Sequence, residues 1–377
     1  MSDNWFTALL EKNANEIIEF MSLQVGADFQ SLREVSRVSI ENRFGPTVVA
    51  EIRLLTNDSS KEEYTLGFIA KKVRDPDKSI DAVLGSSKRF TELMESKQAQ
   101  WAKNKKTIKD FSSLEKYGLP DRVFAPKVRT IEKESGIIQF EILPRFVTRP
   151  KSGVPPDHRY VLAGYALARM HGFSGQRPPK YDNYASWFDY LTKKGLAANY
   201  RETWEKSLRS SKGGLDFSFG EYSLDSIYYN SLSPGKGQLD SLCIVDPVLV
   251  AGGDRGEDLG YLIYFILERT VDAAVRKVAR PEEVSTKQIL VQTMEQVIVK
   301  TVPLIVRSYL TLYPGLAGDY TDVVPIDFFA GAYLTSRADQ YGTSTTYTVK
   351  MHDILNVLGT QLLETHPISD LITNKAI

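Results

Sequence analysis

The 377-residue chain carries 47 lysines plus arginines against 47 aspartates plus glutamates, a formal net charge of zero, with 42% hydrophobic and 25% charged residues. That length accommodates a large core and two domains or lobes, and the composition is that of an ordinary globular protein. The charge balance gives no support to a nucleic-acid partner, and the single cysteine, Cys243, excludes an intrachain disulfide or a cysteine-based zinc cluster and suits a reducing compartment.

The four histidines, His158, His171, His352 and His366, are scattered and form no HExxH pattern. No window reaches eighteen uninterrupted apolar residues, and the N-terminal MSDNWFTALLEKNANEIIEF has acids where a signal peptide carries positive charge. The expectation is a soluble cytoplasmic protein without a membrane partner. Within that first stretch Trp5, Leu9, Ile17 and Phe20 fall among the apolar positions of an amphipathic helix.

Next come VVAEIRLL and YTLGFIAKKV, separated by the polar TNDSSKEE, which predict a hairpin of two long strands. A helix is expected over residues 86–106, followed by strands in VFAPKVRTI and GIIQFEILPRFV. One helix within an antiparallel sheet makes residues 1–145 a mixed α/β lobe. Beyond residue 145 strands nearly vanish. HRYVLAGYALARMHG spaces its apolar residues as a core helix ending at Gly172, and YASWFDYLTKKGLAANYRETWEKSLRS is largely helical. A glycine-rich, strand-like interval over 212–250 precedes helices near 258–280, 283–309, 322–341 and 351–364. Residues 146–377 therefore read as a mostly helical second lobe, and the fold class as α+β.

Three stretches bear on chemistry. In LCIVDPVLVAGGDRGEDLG the apolar run before Asp246 predicts a short buried strand that delivers its carboxylate to a rigid end, with Pro247 stopping the ladder. A carboxylate so placed suits Mg2+, which takes hard oxygen ligands and keeps waters and substrate phosphates. Asp258 stands before LGYLIYFIL as a helix cap or as a hydrogen-bonding group that fixes a neighbouring loop. GFIAKKV ends a strand at Lys71 and Lys72, and adjacent side chains on a strand point to opposite faces, so one of the two looks into a cleft.

The order of lobes, together with GFIAKKV, FGEYSLDSI and IVDP followed by GEDLG, resembles the aminoglycoside-phosphotransferase and choline-kinase branch of the protein-kinase-like fold, near methylthioribose kinase. The resemblance spans about residues 30–345. It implies a two-lobed kinase-like fold: an antiparallel sheet plus helix in the first lobe and a mostly helical second lobe that carries the catalytic acid and metal ligands. It further implies an ATP- and Mg2+-dependent transferase acting on the hydroxyl of a small molecule.

By comparison with the family's apolar-x-apolar-Lys pattern, Lys71 is the lysine that meets the nucleotide phosphates, as a flexible point charge. Glu92 and Glu95, three apart on one helix face, are its two candidate partners. Asp246 matches the metal-binding aspartate. The catalytic loop has two registers. FGEYSLDSI places Gly220 on the family glycine, makes Glu221 the base and leaves Ser226 on the metal side, with Phe219 where relatives carry histidine. Alternatively Asp225 and Asn230 preserve an acid and an amide five apart, with Ser223 replacing the histidine. Either acid can accept a hydroxyl proton for in-line attack on phosphorus.

The chain has no GxGxxG or Walker sequence, and ENRFGPTVV supplies the single-glycine turn available to cover phosphates. Those departures sustain an alternative reading: a kinase-like module that no longer transfers phosphate and instead binds nucleotide or a protein partner. In either reading the long apolar helices after residue 258 pack within the lobe or against a second copy as a homodimer.

Overall fold

The computed structural model describes residues 4–58, 62–104, 114, 117–144, 146–147, 157–174, 184–196, 201–210, 214–230, 241–247, 249–277, 285–312, 320–342 and 344–374. The fold is mixed α+β with an antiparallel sheet and many helices. The chain forms two compact units, the first from residues 1–104, 118–154 and 225–248, the second from 105–117, 155–224 and 249–377. The segment 225–248 thus groups with the first unit, which a single boundary at residue 145 does not describe.

In the first unit a helix, α1 (Asn4–Val25), precedes three long strands, β1 (Phe29–Asn42), β2 (Gly45–Thr56) and β3 (Glu63–Lys72), and the helix α2 (Pro76–Asn104). Short strands β4 (Arg122–Phe124), β5 (Val128–Glu132), β6 (Ile137–Phe140), β7 (Leu143–Pro144) and β8 (Phe146–Val147) follow. β1, β2, β3, β6 and β5 lie side by side in that order, and β7 pairs with β3. The expected hairpin of β2 and β3 is present. β1 was not anticipated, because the apolar residues of LREVSRVSI, Leu32, Val35, Val38 and Ile40, are spaced by three, three and two and show neither a buried run nor a period of two.

Strand alternation divides the sheet into two faces. Val48, Ala50, Ile52, Leu66, Phe68 and Ala70 pack with Phe6, Leu9, Leu10, Ile17 and Met21 of α1. Burial of each large side chain on that seam contributes about 1.5–3 kcal/mol. The opposite face presents Val49, Ile69, Ile138 and Phe140 to Ile80 and Val83 of α2, and to Tyr228, Cys243 and Val245. Those last three belong to β10 (Ile227–Asn230), β11 (Ser241–Ile244) and the residue after it; β4, β11, β10 and β8 form a second sheet in that order. The predicted VFAPKVRTI strand is therefore two strands in different sheets.

The second unit contains α3 (His158–Phe173), α4 (Ala185–Lys193), α5 (Arg201–Ser210), the strand pair β9 (Phe217–Ser218) and β12 (Val250–Ala251), and α6 (Arg255–Arg276). After these come α7 (Thr286–Thr293), a π-helical stretch (Met294–Thr301), α8 (Val302–Leu312), α9 (Tyr320–Tyr341), α10 (Thr346–Thr365) and α11 (Pro367–Thr373). α3 is buried on nearly every side from His158 to His171, which makes it the centre of the unit. Thr286–Leu312 has the length and apolarity to cross a membrane, and its α8 portion packs on α3. α11 was not anticipated. Asp327 on α9 anchors it, accepting hydrogen bonds from Ile368 N at 3.1 Å, Ser369 N at 2.8 Å and Ser369 Oγ at 2.5 Å.

α6 and α9 cross where glycines let backbones meet. A Cβ on Gly260 would stand 2.7 Å from Phe329 Cβ and 2.8 Å from Ile326 O, whereas a Cβ on Gly85 of α2 would meet nothing within 4 Å. Gly260→Ala should therefore destabilise the protein by about 1–3 kcal/mol through overpacking. Gly85→Ala should stabilise it by about 0.5–1 kcal/mol through helix propensity. Urea unfolding of the two variants checks the opposite signs.

Candidate functional site

The register of the first sheet builds the centre of the site. Lys71 on β3 lies directly across from Thr47 on β2 and from Ile138 on β6, and Asn42 pairs with Gly45 across the two-residue turn Arg43–Phe44. Partners on adjacent strands share a face. Lys71 therefore points with Thr47 toward the α2 side and is fully buried, while Lys72 is exposed.

Asp246 arrives from β11. Val245 N donates to Ser226 O at 2.8 Å, and Asp246 then takes a left-handed backbone conformation with φ +57. Such a φ is uncommon in residues other than glycine, and Asp is among those that tolerate it. The turn carries its carboxylate to Lys71, with Nζ to Oδ2 at 2.7 Å and side-chain exposures of 0% and 3%. Oδ2 also accepts from Asn42 Nδ2 at 2.5 Å and from Thr47 Oγ1 at 2.6 Å. Lys71 Nζ lies 2.9 Å from Asn42 Oδ1, 3.1 Å from Gly45 O and 3.1 Å from Thr47 Oγ1. The Asn42 amide thus presents its oxygen to the cation and its nitrogen to the anion. An ammonium has three protons, so Asp246 and these three neighbours saturate it.

The acid that meets Lys71 is Asp246, and neither helix glutamate takes that place. Glu92 stands 3.9 Å from Lys88 and Glu95 stands 3.8 Å from Lys127, with all four side chains mostly exposed. Helix phase explains this, since Ile80, Val83, Phe90 and Met94 take the buried stripe of α2 and leave both glutamates on its outer side. A cavity of about 340 Å3 on that outer side is lined by Leu84, Ser87, Lys88, Thr91, Glu92, Lys127 and Val128, and contains neither Lys71 nor Asp246.

The two loop registers separate in the structure. Ser226 ends a 3-10 turn (Leu224–Ser226), and its carbonyl holds Val245, at the Asp246 end of the β10–β11 ladder. Asn230 pairs with Ser241 at the other end, whereas Ile227 pairs with Ile244. Three residues of strand span about 10 Å, so the ladder sets Asn230 too far from Asp246 to share one ion with it. The Asn230 side chain itself lies outside the described residues. Asp225, in the 3-10 turn, is half-buried and belongs to the first unit.

Glu221 belongs to the second unit, in a loop fixed by its backbone. Asp258 Oδ2 accepts from Phe219 N at 2.8 Å and Oδ1 from Gly220 N at 2.7 Å, with Gly220 at φ +68. Tyr222 Oη donates to Ala163 O at 2.9 Å, and an Arg159 guanidinium nitrogen donates to Leu224 O at 2.6 Å. His171 Nε2 lies 2.8 Å from Asp258 Oδ2, and both side chains are fully buried. Asp258 is therefore the loop-fixing acid of the two expected roles. The helix cap is Asp254, which accepts from Gly256 N at 2.6 Å.

One turn along α6, Glu257 is half-buried among aromatic rings. Tyr184 Oη and Tyr333 Oη reach it at 3.4 Å, while Trp187 and Tyr261 stack edge-on to Tyr333 at centroid distances of 5.0 and 4.9 Å. Burial pushes the Glu257 carboxyl up to about 8, with Asp258 and Asp254 adding to the shift. Burial and carboxylates that include Glu221 and Glu257 also push the Tyr333 hydroxyl up.

Asn42, Thr47 and Glu257 escaped the sequence reading. Thr47 and Asn42 become visible only when β1 is paired with β2 and β2 with β3, and Glu257 was hidden by its more conspicuous neighbour Asp258.

Among the described residues no group of three or more His, Cys, Asp or Glu side chains could hold a metal by itself. Asp246 Oδ2 is consumed by three donors, and among the described residues Oδ1 has no hydrogen-bond partner. A single available carboxylate oxygen fits Mg2+, which is bound by one or two carboxylates and completed by water and phosphate oxygens.

No family model and no curated protein matches the chain. Among solved structures it is similar to a microcompartment-associated aminopropanol kinase, with TM-score 0.43 and 11% identity over 89% of this chain and 94% of that one. It is also similar to a choline/ethanolamine kinase family protein from Mesorhizobium loti, with TM-score 0.40 and 13% identity over 97% and 99% of the two chains. A glucosamine kinase matches with TM-score 0.35 and 10% identity over 89% and 95%. All three are described as kinases or kinase-family proteins.

Asp246→Ala would leave the Lys71 ammonium buried without its counter-charge, at a cost of about 3–5 kcal/mol, whereas Asn42→Ala should cost about 1–3 kcal/mol. Denaturant midpoints of the two variants test this ranking. A second expectation concerns pH. Because the folded state holds the Glu257 carboxyl above its ordinary 4.5, its contribution to stability is fully present below that pH and is lost as pH rises toward about 8. Glu257→Gln cannot ionise, so its melting temperature should gain on the parent's across that window.

Proposed function

We propose that this chain is an ATP- and Mg2+-dependent phosphotransferase acting on the hydroxyl of a small molecule. The observation that carries the reading is the buried pair of Lys71 and Asp246, a lysine on β3 and a carboxylate at the end of β11, each strand held by hydrogen bonds to its neighbour. Lys71 would neutralise nucleotide phosphate oxygens, and Asp246 would hold Mg2+ through Oδ1, the ion supplying charge neutralisation at the phosphates. The position of Ser226 at the Asp246 end of the ladder favours the register in which Glu221 accepts the acceptor's hydroxyl proton and Ser226 stands on the metal side. Asp225 with Asn230 is disfavoured by the distance between Asn230 and Asp246 along the strand.

The acceptor is proposed to carry an ammonium group. Glu257 sits among acids and buried or half-buried aromatic rings, and besides burial the groups that shift it are Asp258, Asp254 and two tyrosine hydroxyls, none of them cationic. Such surroundings favour an incoming cation over a neutral group, through the carboxyl charge and the ring faces.

One observation favours a second reading. The Lys71 ammonium is fully buried and its donors are saturated inside the protein, with Gly45 and Asn42 of the β1–β2 turn among its partners. A phosphate reaching it must displace one of them. A chain in which they stay would be a kinase-like module that serves a protein partner.

Isothermal titration with ATP separates the two. Mg2+-dependent ATP binding to the parent, reduced at least about tenfold in Asp246→Asn with the fold intact by thermal melt, supports the phosphotransferase. No ATP binding with or without Mg2+ sinks it and leaves the interaction module. If ATP binds, turnover of amino alcohols should exceed that of matched neutral diols, and Glu257→Gln should erase the difference.

A further inference from the structure

His171 and Asp258 hold the loop that carries Glu221, and a third side chain from another helix governs the histidine. Tyr309 on α8 places its hydroxyl 2.7 Å from His171 Nδ1, and the rings meet edge to face at a centroid distance of 5.6 Å. Tyr309, His171 and Asp258 are all fully buried. Their encounter follows from helix packing. A Cβ on Gly164 of α3 would stand 2.2 Å from Ile305 O and 2.3 Å from Ser308 Oγ, so α3 and α8 approach backbone to backbone. His171 lies two helical turns beyond Gly164 on the same face, and Tyr309 one turn beyond Ile305.

The chemistry assigns the protons. Both Asp258 oxygens already accept backbone N–H groups, from Phe219 and Gly220, so the group facing Oδ2 from His171 must be a donor. Nε2 therefore carries hydrogen. In a neutral ring Nδ1 is then an acceptor, and the Tyr309 O–H is the donor pointed at it.

We propose that Tyr309 is a positioning residue for the proposed transfer reaction: its hydroxyl, donating to Nδ1, holds the His171 ring in the orientation that keeps Nε2–H on Asp258, and through Asp258 it steadies the Phe219–Gly220 backbone next to Glu221. Without that hydroxyl Nδ1 is a buried acceptor that has lost its donor, so the ring turns away from its present orientation, weakens the Nε2–H bond to Asp258 and loosens the loop. The catalytic consequence rests on the phosphotransferase reading, while the proton arrangement does not.

The test uses the full chain labelled with 15N-histidine, with the His171 signals assigned by their loss in His171→Gln. In the parent, the ring nitrogens of His171 should show protonated Nε2 and unprotonated Nδ1. In Tyr309→Phe the His171 ring-nitrogen signals should shift or broaden as the ring loses its fixed orientation, and hydrogen exchange at Phe219 and Gly220 should accelerate at least about tenfold. Exchange in α10 should stay unchanged, which shows that the fold persists. A parent ring carrying hydrogen on Nδ1, alone or with Nε2, overturns the proposal without any variant. So does a Tyr309→Phe protein whose His171 ring-nitrogen signals and loop exchange match the parent's. Neither readout needs nucleotide, so failure of ATP binding would count against the transfer reaction and leave this outcome independently decided.

Discussion

A buried charge pair is stable only when its surroundings replace the water it has lost, and the first unit is organised to meet that demand for Lys71 and Asp246. Thr47 and Asn42 supply a hydroxyl and an amide, and Gly45 a carbonyl, so both charges are bonded on several sides. Each donor sits where strand register sends it. A one-residue slip of β2 against β3 would turn Thr47 to the α1 side and leave the lysine short of an acceptor. The pair thereby ties the register of the first sheet to the turn after β11.

This arrangement has two faces. As a structural device it locks β1, β2, β3 and β11 together through side chains. In the proposed reading it would also be a chemical device, a cation and an anion side by side with one aspartate oxygen committed and the other left over for a hard metal ion. The same hydrogen bonds that make the pair tolerable inside the protein must be rearranged for a phosphate to reach Lys71. The proposed activity would thus draw on the same contacts as stability.

The second unit uses a related logic with a different chemistry. Asp258 spends its carboxylate on two backbone amides and a histidine, which makes an irregular glycine loop as well determined as a strand. One residue earlier Glu257 faces the aromatic side, and burial beside two other acids raises it. Adjacent acids on one helix turn therefore have opposite tasks, one saturated by donors and one short of them.

Much of the local structure was legible in the chain itself. Apolar periodicity located α1, α3 and the C-terminal helices; apolar runs separated by the polar TNDSSKEE marked β2 and β3; IVDP marked a strand ending in an acid; and adjacency alone dictated that Lys71 and Lys72 face opposite ways. Those are short-range properties, set by side-chain spacing and backbone sterics over a few residues. That the partner of Lys71 is Asp246 rather than Glu92 or Glu95, that Asn42 and Thr47 complete the cluster, and that Asn230 stands at the end of its strand away from Asp246 were decided only by tertiary structure. The physical reason is sequence separation. Lys71 and Asp246 lie 175 residues apart, and no local pattern encodes a contact whose geometry depends on strand pairing, helix phase and the burial that makes a hydrogen bond obligatory.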